Sequence, residues 1–451
     1  MYRGDRTRLC DGGDSRILRA TENTVTLDSE IVIGRTLVNS IRYYYNADGQ
    51  MTKKVIITAI GSVFTYNYTN TDGNTTVSFS AGGKTVTSYS NTDHFGRKES
   101  DELQLGSATV TREFSYHRGT VTPEHTKNDK VKSCPTTQLV SKITIFDGRT
   151  IEYEYDAEER ITKVTDSVDG TTEYTYDALG QLLTETVDGT VVNSMEYDNY
   201  GNILKKNDIV YNYGNSEWKD LLTSYNGQTI TYDAQGNPTS YLGHTLEWEK
   251  GRQLKKFDNI EYTYNANGIR TSKKVNGVLH TYTLDGTKIL RETWGSNTLV
   301  PLYDNEDGVC GIIHNNIPYY FIKNLQGDVI AIVDKDAQTV ARYSYDAWGV
   351  CTVTQDSVGI ANVNPFRYRS YYFDEEIGLY YLQSRYYDAG VGRFIKSDIP
   401  EMMLLQVEKA SGTNLFVTIS AMSTALLIVF PLALIVISSN PSIILELIAK
   451  T

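Results

Sequence analysis

The feature that most constrains this chain is a phrase it repeats: Tyr, any residue, Tyr, then Asp or Asn, two residues, and usually Gly. Copies stand at Tyr153, Tyr155 and Asp156, and at Tyr174, Tyr176, Asp177 and Gly180. Others begin at Tyr197, Tyr232, Tyr262 and Tyr343, with turn glycines at Gly201, Gly236, Gly268 and Gly349. Tyr-x-Tyr has period two, so both rings lie on one face of an extended strand. The Asp or Asn that follows starts a turn by accepting backbone hydrogen bonds. The Gly three residues on suits a positive φ, as in a type I turn closed by a bulge. A second β-prone run comes next, as in residues 181–187. Each unit therefore reads as strand, tight turn, strand. One hairpin alone is marginal in water, so the units must pair edge to edge and stack their tyrosine faces.

The turn residues stand 21 apart from Asp156 to Asp177 and 21 again to Asp198, then 35 to Asp233 and 32 to Asn265. That drift reads as varying loop length and favours one large curled sheet over a propeller of equal blades. Tyrosine outnumbers phenylalanine 34 to 12, which suits rings that pack while a hydroxyl stays wet at the sheet surface. The net charge of −12 argues against nucleic acid as a partner, because phosphate binding needs a basic stripe. The cysteines Cys10, Cys134, Cys310 and Cys351 lack the spacing of a zinc site or a disulfide framework. Residues 1–10 hold no apolar core and do not read as a signal peptide.

Seven stretches follow from a pass along the chain. Residues 1–40 read as lead-in strands, 41–136 as degenerate repeats and 137–360 as the clear repeats. A dense, non-repeating core block covers 361–400, followed by a linker at 401–413, an apolar helix at 414–438 and a tail at 439–451. Residues 118–134 read as a long polar loop, and Trp248, Gly251 and Arg252 as a differently spelled hairpin whose indole packs inward. Within the core block, Arg385, Arg393, Asp374 and Asp388 are expected to form buried or half-buried ion pairs, with Gly378 and Gly392 at turns. Asp304, Glu306 and Asp307 lack the alternating spacing of a calcium loop and resemble another turn copy. No catalytic, cofactor-binding or metal residue is assigned, and no cofactor is expected.

Residues 364–398, from Asn364 and Pro365 through Tyr380, Arg385, Asp388 and Arg393 to Asp398, resemble the signature of the Rhs-repeat-associated core domain. The repeats upstream resemble the YD repeats of bacterial wall-associated toxins, insecticidal toxin-complex subunits and teneurins; together the resemblance covers residues 40–398. It implies a β-sheet ribbon spiralling into a hollow shell, closed at its C-terminal end by the core domain. In many such proteins the shell encloses a variable toxin, and some cleave themselves after the core. Asp398 falls where self-cleaving relatives carry a catalytic Asp-Pro, but Ile399 follows it and Pro400 is displaced by one. Gly412, Asn414, Leu415 and Phe416 match the next family phrase, after which the pattern stops with no Asp-Pro downstream. A fragment or an altered gene end would produce such a break.

No residue from 410 to 445 is charged, and the apolar run at 415–437 is long enough to span a membrane despite Pro431. The expected fold is thus all-β: YD hairpins in a large curled sheet, a partial shell, ending in a hydrophobic α-helix. The expected function is a non-enzymatic wall segment of a bacterial Rhs/YD-repeat protein at the cell envelope, possible partners being a membrane and a C-terminal toxin or cargo. Two alternatives stand beside it: a glycan-binding adhesin using exposed Tyr and Trp rings, and a shell that cleaves itself through an aspartate.

Overall fold

A computed structural model describes residues 9–119 and 136–397, apart from 12–13, 22–23, 34–35, 59–60 and 72–73, with side-chain detail from residue 40. The expected linker, apolar helix and tail, Asp398, and nearly all of the polar loop at 118–134 lie outside the described residues. Among the described residues there is no α-helix; the one helical turn is the 3-10 turn Tyr368–Ser370. None of the described elements is a helix long and apolar enough to cross a membrane.

The described strands form three antiparallel sheets of 20, 14 and 4 members. The first runs from Leu9–Asp11 to Gln228–Thr229, the second from Thr231–Tyr232 to Cys351–Asp356, and the third from Tyr372–Asp374 to Arg393–Phe394. Strands pair with their neighbours in sequence, as Thr150–Tyr155 does with Ile161–Asp166 and Gly170–Tyr176 with Leu182–Val187. The register slips by one residue at the tyrosine before each capped turn, at Tyr155, Tyr176, Tyr197 and Tyr264. A bulge of this kind strengthens the right-handed twist, so repeating it at every unit curls the sheet.

The curl brings distant parts of the chain together. Strands Asn297–Tyr303, Val309–His314, Ile317–Lys323 and Val329–Val333 are covered on both faces. On one face Val300, Ile313, Tyr320 and Ile322 pack with Phe64, Tyr66, Phe79 and Val86 of the first sheet. On the other, Leu299, Ile312, Phe321 and Ile332 pack with Phe366, Tyr372, Leu379 and Tyr381 of the core block. Burying each such side chain stabilises by about 1.5–3 kcal/mol. Two-sided burial explains why these strands are nearly continuous apolar runs instead of alternating. Polar ties cross the same layers: Lys54 meets Asp285 at 2.5 Å, and Arg112 donates to the carbonyl of Lys323 at 2.8 Å. The resemblance implies a hollow shell; at these strands the segment is a packed body.

Candidate functional site

The repeated phrase has one local geometry. In the turn at Asp177, Oδ1 accepts the N–H groups of Leu179 (2.9 Å) and Gln181 (2.8 Å), and Gly180 turns with φ 81°. Asp156 and Asp198 repeat these bonds with Glu158 and Arg160, and with Tyr200 and Asn202. Asp304 does the same with Glu306 and Gly308, so that acidic stretch is a turn of the repeat. The tyrosine before each Asp binds backward along the wall. The hydroxyls of Tyr176, Tyr197 and Tyr345 donate to the carbonyls of Ile161 (2.6 Å), Leu182 (2.8 Å) and Val329 (2.8 Å). For Tyr176 and Tyr197 the acceptor is the fifth residue after the previous turn's Asp; for Tyr345 it is the fifth after Asn324, with the turn at Asp334 between. The tyrosines are therefore staples between successive units, with rings in the core and hydroxyls on backbone.

That rule corrects the account of the uneven spacing. Tyr232 donates to Leu222 and Tyr264 to Leu254, neither of which follows a turn of the usual spelling. Each long interval holds an additional unit. In the first, Tyr213 donates to Ile203, and Asn215 caps the N–H groups of Glu217 and Trp218. In the second, Trp248 takes the tyrosine's place and its indole N–H donates to the carbonyl of Pro238 at 2.6 Å. The indole is half-buried against the core, as its sequence context leads one to expect. The spacing drifts because the spelling changes, not because loops lengthen.

The core block is seated on this wall at two places. At the first, Asp374 is fully buried (0% exposed) and its carboxylate meets Arg270 at 2.5 Å and Lys273 at 2.9 Å, themselves 1% and 5% exposed. Arg270 spans both carboxylate oxygens, and Lys273 also reaches Glu376 at 2.8 Å. Four tyrosine rings enclose the guanidinium: Tyr381 at 4.1 Å, Tyr372 at 5.1 Å, Tyr282 at 5.3 Å and Tyr262 at 5.5 Å. Beside this cage Tyr372 donates to the buried carboxylate of Glu292 at 2.8 Å. Burial alone would raise the Asp374 carboxyl, yet Arg270 and Lys273 hold it below the usual carboxylate range.

The second place is the turn that ends the wall, Asp346 to Gly349. Its carbonyls are taken by the core block: Tyr387 donates to Trp348 (2.9 Å), Tyr380 to Gly349 (2.9 Å) and Tyr368 to Ala347 (3.3 Å). From the opposite side Glu185 accepts the N–H of Ala347 at 2.9 Å, and Lys206 pairs with Asp346 at 3.6 Å. Contact is close enough to exclude side chains. A Cβ on Gly349 would lie 2.5 Å from the Tyr368 ring, and one on Gly392 would lie 2.9 Å from the Trp348 ring. Two separate stretches, near residues 185–206 and 368–392, thus lock around one turn. Burial raises the carboxyls of Glu185, Asp328 and Asp388 at these contacts and of Asp304 in the wall.

The four charged residues expected to pair within the core block are distributed differently. Asp374 is held by wall cations, and Asp388 accepts from the Tyr241 hydroxyl and the Val391 N–H. Arg393 donates to the Tyr213 hydroxyl and the Asp220 carbonyl, while Arg385 lies 3.5 Å from the centroid of the Phe394 ring. Asp374, Asp388 and Arg393 face the wall and find partners there, whereas Arg385 stays against a ring of the block itself. Gly378 and Gly392 do sit in turns, with φ 67° and 76°. Sequence reasoning missed Arg270, Lys273, Glu185 and Trp348. One signal was available: the fifth position after the turn residue is Ile161, Leu182, Ile203 and Val329 in several units, whereas Arg270 is charged there, as Lys98 is in an earlier unit. The arrangement is built to hold. The best-placed carboxylate is kept ionised by two cations, and among the described residues no group of His, Cys, Asp and Glu is spaced to bind a metal.

Comparison with known proteins agrees with this architecture. The family described as Teneurin YD-shell matches residues 39–418. The chain is 36% identical over 237 residues to the tRNA3(Ser)-specific nuclease WapA of Bacillus spizizenii, covering 48% of this chain and 10% of that protein. The tRNA nuclease WapA of Bacillus subtilis strain 168 matches with the same identity and coverage. Among solved structures, the Photorhabdus luminescens Tc holotoxin pore with a TccC3 mutation superposes with TM-score 0.64 at 16% identity, over 92% of this chain and 24% of that one. The TcdB2-TccC3-Cdc42 crystal structure gives TM-score 0.65 at the same identity and coverage. The chain thus spans about a tenth of the WapA proteins and about a quarter of the toxin chains.

Proposed function

The chain belongs to the teneurin YD-shell family, and on that premise we propose that it is a non-enzymatic wall segment whose core block closes its C-terminal end. The supporting observation is the double seating of the core block, on the Arg270, Lys273 and Asp374 cluster and on the 346–349 turn. Such a body serves to contain or present what is attached to it. The domain division at 41–136, 137–360 and 361–400 is part of the proposal, as are a C-terminal toxin or cargo in a longer parent and a place at the cell envelope. The apolar run at 415–437 is the proposed membrane contact, and membrane fractionation with and without residues 410–451 tests it.

A protease site placed in the exposed turn at 357–359 tests the closing role. After cleavage the core block should co-elute with the wall under native conditions; its dissociation would sink the proposal. Intact-mass analysis of the purified chain should return the full-length mass, and a species ending near residue 398 would favour the self-cleaving alternative. Against the adhesin alternative, the rings of the repeated phrase are buried or half-buried, and the hydroxyl of the tyrosine directly before the turn residue is bonded to backbone. Tyr200, 61% exposed beside an open groove of about 410 Å³ with Asn212 and Asn215, is where glycan binding would be sought by Tyr200→Ala on a glycan array.

A further inference from the structure

The two irregular units found within the long intervals share a second property: both grip residues 393–397 of the core block. The first supplies the Tyr213 hydroxyl and the Asp220 carbonyl, which Arg393 reaches at 2.6 and 2.7 Å. The second supplies Arg252, whose guanidinium donates to the Ser397 carbonyl, while Lys396 returns a bond to the Arg252 carbonyl at 2.9 Å. The Lys396 ammonium also lies 5.7 Å from the centroid of the Trp248 ring. Residues 393–397 are only 2–4% exposed.

The changed spelling fits this task. In an ordinary unit the residue four after the Asp is turned back to it, as Arg160 is to Asp156 and Asn202 to Asp198. At 249–252 the turn instead runs through two left-handed residues, Lys250 and Gly251, with φ 45° and 80°. Arg252 then points its guanidinium across to the core block. A tryptophan in the tyrosine position offers a larger ring for the Lys396 ammonium to lie over.

We infer that these two irregular units form a clamp on the chain exit, and that Tyr213, Trp248 and Arg252 are its positioning residues. Whatever follows residue 397 then starts from a fixed, buried point on the wall. The inference rests on the closing role proposed for the core block. It predicts protection of the adjoining chain, because a protease must draw several residues on each side of the scissile bond into its cleft. Cleavage just after 397 therefore requires residues 393–397 to be stripped from the clamp first.

The test places one protease recognition site directly after Ser397 in the full chain, and the same site at 357–359 in a second version as the exposed reference. The expected result is at least about ten-fold slower cleavage after Ser397 than at the reference site. Arg252→Met combined with Lys396→Met should bring the two rates to within about three-fold, and Tyr213→Phe, a milder change, should accelerate cleavage several-fold. Equal rates in the unaltered chain, or protection unchanged in both variants, would overturn the clamp. Co-elution of the core block after cleavage at 357–359 keeps the two ideas apart. A variant that loses protection but still co-elutes has lost the clamp alone, whereas dissociation in the unaltered chain counts against the closing role.

Discussion

Replacing Asp374 with Asn should be among the most damaging single changes to this protein. Asp374, Arg270 and Lys273 are 0%, 1% and 5% exposed, so none can recover water without the core block lifting away. Asn keeps the shape and removes the charge, leaving two buried cations with only Glu376, at 2.8 Å from Lys273, to answer them. Breaking a buried pair from one side costs roughly 3–5 kcal/mol, because the remaining charge stays desolvated. Unfolding entropy is about 2.1 cal/mol/K per residue, so in a body of this size one kcal/mol moves Tm by only about 1–1.5 °C and a fall of roughly 3–7 °C is expected. Thermal and urea unfolding of the full chain measure it. The combined change Arg270→Met, Lys273→Met and Asp374→Leu should recover most of the loss, since an apolar replacement of a buried cluster is often neutral. A loss for Asp374→Asn under about 1 kcal/mol, or a triple variant worse than the single one, would refute the claim that this charge cluster seats the core block.

Three more predictions follow from the same geometry. Tyr176→Phe strips the hydroxyl from the buried Ile161 carbonyl and should cost about 1–3 kcal/mol, whereas Tyr200→Phe, at an exposed ring, should leave Tm unchanged. Gly349→Ala combines φ 92° with a Cβ 2.5 Å from the Tyr368 ring; it should destabilise by more than about 2 kcal/mol, and near-unchanged unfolding would contradict the close seating. The pH profile carries two opposite signs. Glu185, Asp304, Asp328 and Asp388 are raised by burial, so their contribution is largest in acid and declines as pH climbs through their folded values. Asp374 is lowered, so its contribution is complete above the unfolded carboxylate pKa of about 3.9 and is lost only as pH falls below it. His314, lowered by burial, opposes the four raised groups as pH falls through about 6.5. The four raised carboxyls therefore favour a rise in Tm as pH falls toward their unfolded values of about 4, while the Asp374→Asn deficit stays constant above about pH 4 and narrows below it.

Much of the wall was legible in the sequence because its information is local. Tyr-x-Tyr, the capping Asp and the Gly three residues on are joined by bonds spanning only a few residues, so the spelling dictates strand, turn and facing. An all-β body of antiparallel neighbours follows from that unit alone. The hydroxyl staples were not legible, since their register appears only when successive units are paired. The same gap concealed the unit at Tyr213 and the staple made by the Trp248 hairpin, whose turns are spelled differently while the staple is kept.

The seat of the core block was decided by tertiary structure. Arg270 and Asp374 are about a hundred residues apart, and no periodicity links them. Within the block alone, Asp374 and Asp388 have nearby arginines to pair with, which is why the sequence suggested ion pairs there. The fold sends them elsewhere because the block's faces are buried against the wall, and a buried charge must be met by whatever lies opposite. Sequence by itself set the repeating hairpin, its capped turn and its core-facing rings, through contacts that close within one unit. Which charges meet, which turn is enclosed and where the chain leaves were set only when the sheet curled, because those contacts join residues that chain order keeps far apart.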